Sequence, residues 1–267
     1  MFTQAIALNP KYGAAYNDRG LNRYHMGRFK DAMDDYNMAL SINPGDAAAL
    51  NNRGLSEYDM GKFSEALKDY DSALVHDPKM QIGYNNRGML ESHLGAESND
   101  STLYALAMED LDKAHELNDS DYYTLCNRGL LKYRLGRYND AIADYTKGIF
   151  YKPDFATLYN NRGLAYADLN SDSAAKEDFK KSLELNPNDP VVYNNLGLIE
   201  YNNANYEGAK SYYLKTLSID STYGLGYFNL GMTEHELGNM DNACADFYKA
   251  KQYNYAHAQA KIDKYCM

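Results

Sequence analysis

The sequence predicts an all-α fold in which short antiparallel helix pairs stack one on the next. Three observations point to it. The string Asn-x-Arg-Gly or Asn-x-Leu-Gly recurs with glycines at Gly20, Gly54, Gly88, Gly129, Gly163, Gly197 and Gly231, spaced 34, 34, 41, 34, 34 and 34 residues apart. Twelve residues after most of them stands an alanine (Ala32, Ala66, Ala141, Ala175, Ala209, Ala243), and four further on an aromatic (Tyr36, Tyr70, Tyr145, Phe179, Tyr213, Phe247). No stretch alternates as a strand would, and the apolar residues recur at helical spacing. A fixed period of this length marks an array of like supersecondary units.

The elements follow in order when each recurrent glycine is counted as position 8. Phe2, Ala5 and Pro10 fall where the aromatic, alanine and proline of a second helix belong, so residues 1–12 read as a partial repeat, with Met1 a cut, or in the alternative the start of a natural half-repeat cap. Full repeats follow at 13–46, 47–80, 81–121, 122–155, 156–189, 190–223 and 224–257. At about 100° per residue, positions 4, 7, 8 and 11 share one side of the first helix and face the second helix. Positions 2, 5, 6, 9, 12 and 13 look the other way. The glycine at position 8 and the alanine at position 20 sit where the two helices approach most closely. The glycine at position 15 (Gly27, Gly61, Gly95, Gly136, Gly238) supplies the left-handed turn after the first helix, and Pro44, Pro78, Pro153 and Pro187 end the second. The third repeat is seven residues too long near 96–102, between its helices. A tolerated loop insertion is the expectation there, and lengthened helices are the alternative. Residues 258–267 read as a capping helix. No unit can bury its faces alone, so the repeats must stack.

This pattern resembles the tetratricopeptide repeat, a helix–turn–helix unit with an aromatic at position 4, Leu-Gly at positions 7–8, alanine at position 20, an aromatic at position 24, alanine at position 27 and proline at position 32. The resemblance covers residues 13–257. It implies a single right-handed superhelical solenoid of about seven repeats, and a noncatalytic protein-interaction module whose partner is a protein or peptide. Fold alone does not settle function, because this scaffold serves many.

Position 7 departs from the family's usual Leu: it is Arg19, Arg53, Arg87, Arg128 and Arg162. Position 23 of the same repeats is Asp35, Asp69, Asp110, Asp144 and Asp178, and repeat 6 loses both charges together, as Leu196 and Tyr212. A charge at the edge of a packing stripe is tolerable only when paired. The expectation is five structural Arg–Asp pairs joining first helix to second. On the opposite face run two amide rows, Asn17, Asn51, Asn85, Asn160 and Asn194 at position 5, and Asn52, Asn86, Asn127, Asn161 and Asn195 at position 6. Position 9 is Leu or Met throughout, and position 12 gives Tyr24, Tyr58, Tyr133 and Tyr201. Amides both donate and accept, so these rows are expected to hold an extended peptide backbone while the apolar rows take its side chains. The alternative is that the position 6 amides merely bond neighbouring helices.

Composition narrows the classes further. The 27 Lys and Arg against 37 Asp and Glu give 27 − 37 = −10, the wrong sign for tracking nucleic acid phosphates. No apolar run of about 18 residues is present, so no membrane insertion is expected, and the first residues lack the basic start and apolar run of a signal peptide. The histidines make no i, i+4 pair with one another, no Ser-His-Asp or phosphate-loop spacing stands out, and neither catalytic residues, metal nor cofactor is expected. Cys126, Cys244 and Cys266 have no ligand spacing, and reduced thiols in the cytoplasm fit them. The functional expectation is an interaction module binding an extended segment in its groove. The alternatives are a scaffold self-associating through the N-terminal half-repeat, or the substrate-presenting arm of a longer enzyme.

Overall fold

The structure, a computed structural model, describes residues 2–266. All regular structure among them is helical. The chain divides between Leu135 and Gly136 into two compact units. The first holds α1 (Phe2–Leu8), α2 (Gly13–His25), α3 (Phe29–Ile42), α4 (Ala47–Asp59), α5 (Phe63–His76), α6 (Gln81–Ser98), α7 (Ser101–Leu117) and α8 (Tyr122–Arg134). The second holds α9 (Tyr138–Tyr151), α10 (Ala156–Asp168), α11 (Asp172–Leu185), α12 (Pro190–Asn202), α13 (Tyr206–Ile219), α14 (Gly224–Glu236), α15 (Met240–Gln252) and α16 (Ala258–Tyr265).

In the first unit α2 packs on α3, α4 on α5 and α6 on α7; in the second α10 packs on α11, α12 on α13 and α14 on α15. The sequence period explains the fit. A Cβ at Gly20 would stand 2.7 Å from the ring of Tyr36, and at Gly54, Gly163 and Gly197 it would meet Tyr70, Phe179 and Tyr213 at 2.8, 2.7 and 2.6 Å. In these four pairs the aromatic of the second helix thus lies over the glycine of the first, and Ala32, Ala66, Ala175 and Ala209 beside it are completely buried; over Gly88 the third repeat has Leu111 instead. Gly27, Gly61, Gly136 and Gly238 turn the chain at φ between 71° and 79°, a left-handed conformation that costs other residues roughly 1–2 kcal/mol. Aspartates cap several first helices: Asp46 accepts from the Ala49 amide and Asp121 from that of Thr124, filling donors a helix start leaves open.

The third repeat corrects two expectations. Its extra residues form no loop: α6 and α7 have 18 and 17 residues, against 13 and 14 in α4 and α5. Gly95 is therefore buried inside α6 rather than ending it, and the left-handed turn moves to Asn99, at φ 53°. The cause is packing. A Cβ on Gly95 would stand 3.0 Å from the Tyr104 ring, so the added turns cover one another instead of facing water.

Candidate functional site

Within the first unit the first helices α2, α4, α6 and α8 lie side by side, as do α10, α12 and α14 within the second. The amide rows occupy the seams between them. Asn52, Asn86 and Asn127 each donate Nδ2–H to Oδ1 of Asn17, Asn51 and Asn85 at 3.0 Å. In the second unit Asn195 donates to Asn160 at 3.1 Å and Asn229 to Asn194 at 2.9 Å. In these five repeats position 6 is thus bonded to position 5 of the repeat before it. Asn51, Asn85 and Asn194 retain only 2, 6 and 3% of their accessible surface. Position 5 was expected to look outward with its amides open to a ligand. Adjacent first helices instead close over it, and buried amides there take the bonds that burial obliges them to make. Asn161, like Asn17, Asn52 and Asn160, is half-buried.

The outward surface is made by positions 9, 12 and 13. Tyr24 Oη donates to Asp59 Oδ2 at 2.6 Å, bridging α2 and α4. Burial, then that carboxylate, hold the Tyr24 phenol well above its ordinary range. The Tyr58 ring lies 5.6 Å from Phe63 and 5.8 Å from His93, and Tyr201 lies 5.4 Å from Tyr206. Tyr133 sits half-buried at the same position of α8. Two small pockets open on these surfaces, each of about 180 Å³. That of the first unit is lined by Tyr58, Met89, Ser92, His93, Asn127, Leu130 and Arg134, with Arg134 Nη1 donating to the Ser92 carbonyl and hydroxyl at 3.0 and 2.9 Å. That of the second is lined by Leu198, Tyr201, Tyr213, Phe228, Asn229 and Met232.

The arginines at position 7 are engaged on the inward side. Arg19 reaches Asp35 at 2.6 Å, Arg53 Asp69 at 2.6 Å, Arg87 Asp110 at 2.6 Å and Arg162 Asp178 at 2.7 Å, each through two nitrogens on two oxygens. The side-chain hydrogen bond to its aspartate, foremost, raises the pKa of each guanidinium. A second contact lay beyond the sequence reading. Arg53, Arg87, Arg128 and Arg162 also donate Nη1–H to Asn37, Asp71, Asp112 and Thr146, residues on the second helix of the preceding repeat, at 2.7 to 3.0 Å. The guanidinium groups of Arg53, Arg87 and Arg162 therefore tie their repeats to the preceding one as well as to themselves. Arg128 belongs to the first unit, and Asp144, buried, to the second.

Sequence reasoning also passed over position 11. Glu200 and Glu234 are met by Lys176 and Lys210 of the preceding second helix at 2.7 and 2.9 Å. The equivalent positions before Glu57 and Glu91 are Met33 and Leu67. Both residues are only 7% exposed, and one carboxyl oxygen of each has no hydrogen-bond partner. Burial first, then the nearby charges of Asp69 and Asp110, push Glu57 and Glu91 up to about 7, against the pull of Arg53 and Arg87. Burial likewise pushes Asp246 up to about 6. The lysines present in one pair of repeats and missing in the other were the readable signal.

Two cysteines correct the thiol expectation: Cys244 and Cys266 form a disulfide, with Cα atoms 5.5 Å apart. Antiparallel packing of α16 on α15 brings residues 22 apart in sequence together. Disulfides persist in oxidising surroundings, so the cytoplasmic reading loses the support it took from reduced thiols. Cys126 is buried in α8. Among the described residues no three His, Cys, Asp or Glu side chains gather as a metal-binding group, and no helix is long and apolar enough to cross a membrane.

Comparison with known proteins follows the same lines. Family models described as Tetratricopeptide repeat match residues 1–47, 47–80, 156–189, 179–211 and 226–257, and one described as TPR repeat matches 129–170. No curated protein matches. Among solved structures, the chain is similar to one in the APC/C hetero-tetramer Cut9-Hcn1, with a TM-score of 0.79 and 19% identity over 87% of this chain and 45% of that one. It thus spans less than half of that relative. A tetratricopeptide repeat protein from Parabacteroides merdae ATCC 43184 gives a TM-score of 0.71 and 20% identity over 93% of this chain and 96% of that one. YrrB, described as a TPR protein with an unusual peptide-binding site, gives 0.51 and 21% over 72% and 95%.

Proposed function

Since the chain belongs to the tetratricopeptide repeat family, we propose that it is a noncatalytic interaction module whose first helices bind an extended segment of a partner protein. We read its helices as seven repeats between a leading half-repeat and a terminal cap, with the binding surface along positions 9, 12 and 13. The observation that carries the reading is the row of apolar and aromatic side chains left half-exposed there, Leu198 at 43% among them. Tyr58 and Tyr201 rest one face on the core, against Tyr70 and Tyr213, and leave the rest of each ring to the surface. An amide seam lies beneath, and because it is spent on bonds between repeats, it supports the surface rather than gripping the ligand along its whole length. Peptide binding is described for YrrB, which shares the fold, and interaction is the work of the family. A surface built from rows of like residues spreads binding over several repeats instead of one charged clamp.

The test is affinity capture with the full chain, followed by calorimetry with overlapping synthetic peptides from whatever protein is captured. A single extended peptide should reproduce the binding, and Tyr58→Ser with Tyr201→Ser should weaken it about tenfold or more with helical content unchanged. A partner that binds only when folded, and equally well to this variant, removes the reading. A second reading, self-association through the N-terminal half-repeat, is favoured by Leu8, which is 88% exposed on α1. Sedimentation across a hundredfold concentration range decides it: a constant mass rejects it.

A further inference from the structure

The pocket of the second unit has a chemistry of its own. Leu198 and Tyr201 of α12 and Phe228 and Met232 of α14 line its roughly 180 Å³, with buried Tyr213 among them. An apolar cavity of about 150 Å³ is large enough to take benzene, so one leucine, methionine or phenylalanine side chain fits. The nearby cations are Lys261 and Lys264 of α16, which lie over the Tyr265 ring at 5.7 and 4.9 Å, that ring being 4.3 Å from His235. Neither α12 nor α14 contains Lys or Arg, and the one arginine of α10, Arg162, is held by Asp178 and Thr146. Of the carboxylates, Glu200 and Glu234 are neutralised by Lys176 and Lys210. Glu236 is exposed at the end of α14, four residues beyond Met232. His235 Nδ1 lies 3.4 Å from its Oε1, and its charge is felt by Tyr201 in the pocket wall. An open apolar cup beside a carboxylate that, among the described residues, no Lys or Arg bridges, on a chain of net charge −10, complements a ligand that is apolar at one point and basic next to it.

We propose that this pocket anchors a large apolar side chain of the partner segment, and that a Lys or Arg within two residues of that anchor meets Glu236. In an extended strand successive residues advance about 3.3 Å and alternate in direction. A residue one or two places from the anchor therefore reaches the rim while the anchor fills the cup. The proposal rests on the reading of the chain as a binder of extended segments and specifies what one stretch of that segment contains. Leu198 and Glu236 are both exposed, so replacing them leaves the helix pairs intact.

The experiment is selection of random dodecapeptides displayed on phage against the full chain, with affinities of the enriched sequences measured by fluorescence anisotropy. Enriched peptides should share a Leu, Met or Phe with Lys or Arg within two residues. Changing the anchor to Ala, or the protein by Leu198→Glu, should weaken binding about tenfold or more. Reselection on Glu236→Arg should replace the basic preference by Asp or Glu while keeping the apolar anchor. Enriched peptides that lack the apolar residue, or that bind Leu198→Glu and Glu236→Arg as well as the unaltered chain, overturn the anchor site and leave peptide binding in place elsewhere. A selection that enriches nothing overturns both.

Discussion

Copying repeat 6 into repeat 5 probes the ion-pair ladder at its best-defined rung. Arg162 bonds Asp178 twice at 2.7 Å and Thr146 once at 3.0 Å, and its guanidinium sits 5.8 Å from the Tyr159 ring. The side chains keep 18 and 7% of their surface. Arg162→Leu strands a buried carboxylate; breaking buried pairs costs about 3–5 kcal/mol, and the partial exposure of the arginine places the expectation at about 3 kcal/mol. Asp178→Tyr strands a guanidinium that still reaches Thr146 and water, for about 2 kcal/mol. The double variant reproduces the Leu196 and Tyr212 arrangement, in which Tyr212 packs among apolar neighbours, and should also cost about 2 kcal/mol, because replacing both members removes the uncompensated charge. The coupling is then about 3 kcal/mol, read from urea unfolding of the four proteins by circular dichroism. A double variant that loses the sum of the two single losses, within about 0.5 kcal/mol, refutes the pairing as a source of stability.

Gly163→Leu should lower stability by about 3 kcal/mol in the same assay, since even its Cβ meets the Phe179 ring at 2.7 Å and overpacking must displace it; Gly61→Ala, with open space but φ of 73°, should cost only about 1 kcal/mol. Glu57 and Glu91 have folded pKa values raised from 4.5 to about 7, so the stability their neutral forms lend is complete below about pH 4.5 and is lost as pH rises to about 7. At 1.36 kcal/mol per unit this amounts to at most about 3 kcal/mol each, and Glu57→Gln with Glu91→Gln should flatten the stability profile across that window. An unchanged profile shows that water reaches these carboxylates freely. Reduction of Cys244–Cys266, which closes a 22-residue separation, should destabilise the second unit by about 3 kcal/mol, and thiol titration of the denatured, unreduced chain should find one thiol rather than three.

The fold was legible because one geometric demand repeats. A glycine under an aromatic ring, with an alanine beside it, leaves a mark every 34 residues that no strand pattern can imitate. What escaped notice depends on relations between repeats. Asn51 reads in sequence as an outward amide, yet its oxygen is taken by Asn86 from the next repeat. Glu57 and Glu200 hold the same position, and only Met33 and Lys176, one repeat earlier, decide which is neutralised. Counting along a single repeat cannot show these seams. Gly95 failed for a related reason: the turn expected after it depends on whether the following residues can cover the helix, and Tyr104 does. The disulfide needed the angle at which α16 returns over α15, which no cysteine spacing encodes.

Hydrogen exchange of the full chain, with and without a saturating selected dodecapeptide, locates the surface that the bound segment covers. Added protection is expected on first helices, at the outward ends of α4, α6 and α8 or of α10, α12 and α14, with Tyr58 or Tyr201 inside the protected segments. The second helices α3, α5, α11 and α13 should exchange as before. Protection confined to those second helices, or to α1, would place binding on another surface and rule out the first-helix groove.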